Sequence, residues 1–253
     1  MKSQIIPSED LQLNIGCAGW SIPQAFKSHF PVHGSHLVRY SQVFNAVEIN
    51  SSFYRPHKPA TYERWQNMVP ASFRFAVKVP RIITHSFRLK NSDEALAAFL
   101  DECTKLGTKL GVLLIQLPPG LPFQELTAEA FFATLRARFE GDVALEPRNA
   151  TWFTPEVETL LSSYKIARVA ADPAPAPEAS MPGGWSDLVY YRLHGSPRMY
   201  YSGYSGEHLG KLAYRLIQAM AKGSRVWCIF DNTAEGAATR DALTVMDLLG
   251  SQQ

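Results

Sequence analysis

Cysteine is scarce in this 253-residue chain: Cys17, Cys103 and Cys228 stand far apart and form no C-x-x-C pair. That argues against a disulfide framework and leaves no zinc or iron–sulfur motif. Cys103 and Cys228 read as small buried hydrophobes, whereas Cys17, at the end of the first expected strand, is the thiol placed where chemistry is conceivable. Long apolar runs are missing too. No stretch approaches the roughly 20 apolar residues of a membrane helix, and the amino-terminal MKSQIIPSEDLQLN lacks the unbroken apolar centre of a signal peptide. The expected location is the cytoplasm, with no membrane partner. Charge of one sign is not in excess, for a net charge of +2 neither demands nor excludes a nucleic-acid partner. No H-x-H, H-E-x-x-H or internal repeat occurs, and Gly16-Cys17-Ala18-Gly19 is not the phosphate-binding G-x-G-x-x-G.

What is present is a regular alternation. Apolar runs over 13–18, 73–79, 111–117, 143–148, 166–171, 188–194 and 226–231 read as strands, as does the stretch 43–55 with chemistry at its end. Between them lie helical patterns over 37–44, 59–68, 92–106, 127–139, 155–164, 208–221 and 234–249. Pro59 suits a first helical turn, and Ser92 suits an N-cap. The run PAPAPEASMPGG after Asp172 breaks the alternation and reads as an enlarged loop. Eight strands alternating with helices in one domain, residues 1–253, is the count for a single-domain TIM (β/α)8-type barrel with parallel strands. A doubly wound open sheet is the alternative.

The strands share an ending. The organising stretch is VFNAVEINSSFYR, where Glu48 and Asn50 alternate with Val47 and Ile49, so both polar side chains share one face. The other runs stop at Lys78, Gln116, Glu146 with Arg148, Asp172, Arg192 with His194, and Asp231 with Asn232. In a barrel, sites gather at the carboxyl ends of the strands. Buried there, these charges must satisfy one another or a ligand.

The segments IGCAGWS, FNAVEINSSFYR, FRFAVKVPRIITH, LIQLPPG, ALEPRNATWF, YYRLHG and FDNT, in that order, resemble the YecE-like family, known as domain of unknown function seventy-two. The resemblance runs from about residue 14 to 249. It implies a TIM-barrel-like fold, similar in shape to the endonuclease IV and xylose isomerase group, and names no reaction. Three departures stand out: the family's usual aromatics before the first Pro turn are replaced in SIPQAFKSHFP, Asp231 stands for a usual Asn, and Asn149 for a frequent His.

Several chemistries compete for the strand-end residues. A retaining glycosidase needs acids where Gln116 and His194 stand. A class I aldolase needs a desolvated lysine, for which Lys78 is the candidate, against the simpler expectation that Lys78 pairs with Glu48 or binds an anion. No cofactor is signalled; a divalent metal remains possible through Glu48, Glu146, Asp172, Asp231, His85 and His194, although Lys78, Arg148 and Arg192 compete for the same carboxylates. The mixed ring suits an anionic small molecule best, phosphorylated or carboxylated. In that reading Glu48, Lys78, Glu146 and His194 are catalytic. Asn50, Tyr54, His85, Gln116, Arg148, Trp152, Asp172, Arg192, Tyr204, Asp231 and Asn232 bind substrate. The plain alternatives are that Glu146 and Arg148 form a structural pair, that His194 is a core histidine, and that Trp20, Phe53, Tyr54, Trp152, Tyr200, Tyr201 and Tyr204 are wall. Aromatics beside cations also fit a nucleic-acid or nucleotide-binding module.

Overall fold

The computed structural model describes residues 13–251. The amino-terminal segment read above for a leader therefore lies almost wholly outside the described residues. The strands are β1 (Leu13–Cys17), β2 (Ala46–Ile49), β3 (Arg74–Lys78), β4 (Leu110–Gln116), β5 (Asp142–Glu146), β6 (Ile166–Arg168), β7 (Ala170–Asp172), β8 (Gly183–Gly184), β9 (Leu188–Leu193) and β10 (Arg225–Phe230). The helices are α1 (His36–Tyr40), α2 (Pro59–Met68), α3 (Asp93–Cys103), α4 (Glu125–Arg138), α5 (Pro155–Ser163), α6 (Gly206–Ala221) and α7 (Ala237–Gly250).

The strands form two sheets, ordered β1-β10-β9-β7 and β2-β3-β4-β5-β6-β8. All pairings are parallel except that of β8 with β6. The sheets adjoin where Ala18, just past β1, makes a parallel bridge to Glu48 and the Gly19 amide donates to the Glu48 carbonyl at 2.9 Å. Gly16 is required for this approach. A Cβ there would sit 1.9 Å from the Ala46 carbonyl oxygen.

Because residues two apart share a face, each strand contributes alternate side chains to two different cores. One core gathers Ala46, Ala76, Val112, Leu114 and Ala144 from the longer sheet with Leu188, Tyr190, Trp227 and Ile229 from the shorter one. This interior is common to both sheets. The other core lies under the helices, where Val47, Phe75, Leu113 and Val143 meet Leu96, Phe132, Val157 and Leu212. The strands read as nearly continuous apolar runs because both faces are covered.

Two expectations change. The strand read over 166–171 is two strands: β6 pairs with β5 in one sheet and β7 with β9 in the other, with the break at Val169. Ser92 stands at the start of α3 but makes no capping bond; its hydroxyl donates to the Leu89 carbonyl instead. Between Asp172 and β9 the chain holds only a short 3-10 turn, Pro177–Ser180, and β8. Arg168 ties this segment down by pairing with Glu158 and donating to the carbonyls of Glu178 and Met181, both at 3.1 Å.

Candidate active site

The inward positions of the strands turn from apolar to charged at their carboxyl ends. Ala46 is followed by Glu48, Ala76 by Lys78, Leu114 by Gln116, Ala144 by Glu146, Tyr190 by Arg192 and Ile229 by Asp231. The interior apolar cluster is therefore capped by a polar one.

Arg192 is the centre of it. Its Nη2 donates to Glu48 Oε1 at 2.6 Å, its Nε to Glu48 Oε2 at 2.9 Å and its Nη1 to Glu146 Oε2 at 3.2 Å, while Asp231 Oδ2 lies 3.0 Å from Nη2. Tyr190 adds its hydroxyl to Glu48 Oε2 at 2.9 Å. Burial disfavours the Arg192 cation, but Asp231, Glu48 and Glu146 outweigh it and raise its pKa well above the ordinary value. All three nitrogens of this guanidinium face protein carboxylates, so Arg192 positions the acids rather than waiting for a substrate.

His194 joins two of those acids. Its Nδ1 lies 3.0 Å from Asp231 Oδ2, and its Nε2 lies 2.8 Å from Glu146 Oε1 and 2.5 Å from Arg148 Nη2. Arg148 Nη2 also donates to Glu146 Oε1 at 2.5 Å. An imidazole that donates to both acids is a cation, while a neutral ring with a free Nε2 accepts from Arg148. Both forms have partners in place, which is what a proton carrier needs. Burial would push the Glu146 carboxyl up, but Arg148, Arg192 and His194 hold it well below the usual carboxylate range. Asp231 is likewise held down, by Arg192 and His194 against its burial.

Lys78 differs from the expectation that it pairs with Glu48. Among the described residues its amine makes no ion pair and no hydrogen bond; Nζ sits 4.1 Å above the Phe53 ring. It is only 6% exposed. Burial, then Arg192, push its pKa from 10.5 down to about 8, in spite of Glu48, Glu146 and Asp231 nearby. Local structure sets this contact, since Ser52 donates from one hydroxyl to the carbonyls of Ile49 and Lys78, holding the 3-10 turn Ser51–Phe53 against the end of β3. His85 meets the same Phe53 ring edge-on at 5.0 Å, and burial followed by Lys78 lowers its pKa. Beyond Phe53 opens a groove of about 530 Å³, walled also by Tyr54, Arg55, Pro80 and Arg81. A second groove, about 380 Å³, runs along α6 past Arg215 and Lys222; neither groove is lined by a residue of the charged cluster, and Phe53 is what separates the first from Lys78.

The structure thus brings together Glu48, Lys78, Glu146, Arg148, Arg192, His194 and Asp231. Asn50 reaches the cluster through an Nδ2 contact of 3.5 Å to Asp231 Oδ1, and Gln116 lies beside Glu146 in register. Tyr54 is 78% exposed at the groove. Other expected ligand-binding residues lie elsewhere. Trp152 is fully buried, donating to the Leu121 carbonyl at 2.9 Å and packing on Phe123. Tyr204 donates to Asp172 at 3.0 Å and accepts from the Gly195 amide, while Asn232 donates to Ser202 and Asp241. These side chains pin loops. Cys17 is buried, and burial pushes its thiol up to about 12, which leaves no reactive thiolate. Tyr190 escapes sequence reading because a tyrosine within an apolar run reads as core. Tyr200, whose ring stands edge-on to His194 at 5.8 Å, sits in a loop with no periodicity to place it.

Among the described residues four buried side-chain polar atoms have no hydrogen-bond partner: Arg148 Nε, Asn50 Oδ1, Asn232 Oδ1 and Tyr62 Oη. The first two belong to the cluster. Among the described residues no three His, Cys, Asp or Glu side chains converge in a metal-holding group.

The family model described as "Protein of unknown function DUF72" matches residues 14–253. The chain belongs to the DUF72 family. The UPF0759 protein YecE of Escherichia coli K12 is 30% identical over 167 residues, 64% of this chain and 59% of that protein, so the matched stretch spans less than two thirds of the relative's length. UPF0759 protein YunF of Bacillus subtilis 168 is 25% identical, with 93% of this chain and 94% of that protein covered. Among solved structures, a DUF72 protein of Enterococcus faecalis V583 superposes with a TM-score of 0.80 at 21% identity, over 94% of this chain and 96% of that one. A DUF72 protein of Thermotoga maritima MSB8 gives 0.77 at 22%, over 94% and 99%. At these identities the likeness is one of fold: a mixed α/β domain with mostly parallel strands, as seen here for this DUF72 chain.

Proposed function

We propose that this DUF72 chain is an enzyme that moves protons on a small anionic substrate at the carboxyl ends of its strands. The observation that carries the reading is His194, fully buried with a carboxylate at each ring nitrogen and a guanidinium at Nε2. In this reading His194 and Glu146 exchange the proton, Asp231 fixes the ring, and Arg192 holds Glu48, Glu146 and Asp231 in place. Arg148 supplies the substrate's counter-charge through its unpartnered Nε, with Lys78 as the second cation. We read the two sheets as halves of one (β/α)8-type barrel, a reading supported by the Ala18–Glu48 bridge and the interior common to both.

The test is a thermal-shift screen against phosphorylated and carboxylated small molecules. A ligand at 100 times its Kd stabilises the folded state by about 2.7 kcal/mol through mass action. Stabilisation by such an anion, lost in Arg148→Met, is the expected result. Stabilisation by oligonucleotides alone, fading as salt rises, would replace this reading with nucleic-acid binding.

A further inference from the structure

Lys78 has a setting unlike that of any other lysine in the described residues. It alone is buried. Lys109 bonds the carbonyls of Gln66 and Val69 at 2.6 Å, Lys211 pairs with Glu207 at 2.6 Å, and the remaining described lysines are exposed. The carboxylates that would ordinarily neutralise a buried ammonium are committed elsewhere: Glu48 to Arg192 and Tyr190, Glu146 to Arg148, Arg192 and His194, Asp231 to Arg192 and His194. One side of the amine is covered by Phe53, whose ring also borders the groove of about 530 Å³. What results is a buried amine without a hydrogen-bond partner, held at the end of a strand beside an acid–base cluster, with the Phe53 ring between it and the groove.

We propose that Lys78 is an imine-forming nucleophile, and that the substrate class of the site is a small aldehyde or ketone carrying a carboxylate or phosphate. The proposal rests on the proton-transfer reading above and adds the covalent step to it. The neutral amine attacks the carbonyl carbon; the carbon–oxygen π electrons move to oxygen, which takes up a proton, and nitrogen releases one, giving a carbinolamine. Protonation of that hydroxyl lets it leave as water while the nitrogen lone pair closes the C=N bond. In sum, amine and carbonyl give imine and water, with no oxidant or reductant. The C=N group forms as the iminium, still carrying its N–H, and is itself the electron sink, so that a bond to the neighbouring carbon can break with His194 or Glu146 handling the proton; loss of the N–H proton gives the neutral imine. Burial favours the attacking form: with the pKa near 8, about a tenth of the amine is neutral at pH 7, against well under a thousandth for an ordinary lysine.

The experiment is reductive trapping. The intact protein is incubated separately with pyruvate, glyoxylate and dihydroxyacetone phosphate, treated with sodium borohydride, and mapped by peptide mass spectrometry. At least one probe is expected to label the Lys78 peptide tenfold or more above any exposed lysine, with no label at that peptide in Lys78→Met and no gain elsewhere. Thermal shift with the same probes, without borohydride, separates the two claims. Stabilisation by a probe without an adduct at Lys78 overturns the imine and leaves the proton-transfer reading standing. Labelling spread evenly over surface lysines, with no stabilisation, overturns both. Circular dichroism confirms that each variant is folded.

Discussion

Arg192 and Glu48 lie 144 residues apart in sequence and form a two-pronged ion pair, Nη2 to Oε1 at 2.6 Å and Nε to Oε2 at 2.9 Å, with both side chains almost wholly buried. The pair joins β9 of one sheet to β2 of the other. Replacing Arg192 by Met leaves Glu48 with only the Tyr190 hydroxyl as partner and removes a cation from Glu146 and Asp231 as well. Breaking a buried pair in this way costs about 3–5 kcal/mol. Urea unfolding of Arg192→Met is expected to show that loss, and a loss under about 1 kcal/mol would contradict the central place given to this guanidinium.

Lys78 yields a stability prediction of opposite sign. Its folded-state pKa of about 8 lies below the ordinary 10.5, so the fold disfavours the ammonium. The penalty is fully present below about pH 8, and it is relieved as pH rises from there toward 10.5. At 1.36 kcal/mol per unit the penalty is about 3 kcal/mol. Lys78→Met lacks it. The variant is therefore expected to gain on the wild type in urea unfolding at pH 7, with the gap closing by that amount near pH 10; a gap that stays constant with pH would refute the assignment.

The alternation of strands and helices was legible in the sequence because apolar periodicity records which faces are covered, and the strand-end charges were legible because period-2 geometry assigns a face. Partnership was not. Nothing in the spacing says that Glu48 chooses Arg192 over Lys78, since β2 meets β9 only through the interior. The split at Val169 was hidden for a similar reason: an apolar run looks the same whether it serves one sheet or changes to another. Trp152 had both a ligand-binding and a wall reading because an indole in a strand-end loop has two possible directions, and the Leu121 carbonyl, 31 residues back, decides for the wall. Tyr200 has a positive φ of 69°, set by its loop rather than by any pattern in the residues.

The acid limb of the stability profile follows from Glu146. Its carboxyl is held well below 4.5, so its contribution is present above that value and is lost as pH falls toward the folded-state pKa. Glu146→Gln removes the titration. Its stability is expected to fall less steeply than that of the wild type when urea unfolding is compared at pH 5, 4 and 3, although the variant starts lower at neutral pH. Parallel profiles would show that Glu146 is not held down by Arg148 and Arg192.

The junction of the sheets can be tested at Gly16. A Cβ there lies 1.9 Å from the Ala46 carbonyl oxygen and 2.8 Å from the Tyr40 hydroxyl, which itself donates to that carbonyl and accepts from the Cys17 amide. Gly16→Ala must push β1 from β2, costing about 3 kcal/mol. In a domain of this size that lowers Tm by roughly 6–12 °C. A fall of less than about 2 °C would mean that the two sheets do not approach as closely as described.

The most direct test of the site is the titration of Lys78 itself. Trace acetylation across a pH series, read as the label on the Lys78 peptide relative to exposed lysines, measures the fraction of neutral amine. A midpoint near 8 is the predicted result, matching an amine whose hold on its proton is weakened by burial and that no carboxylate has claimed. A midpoint at the ordinary 10.5 would show Lys78 to be a paired, structural cation, and its role as a nucleophile would fall.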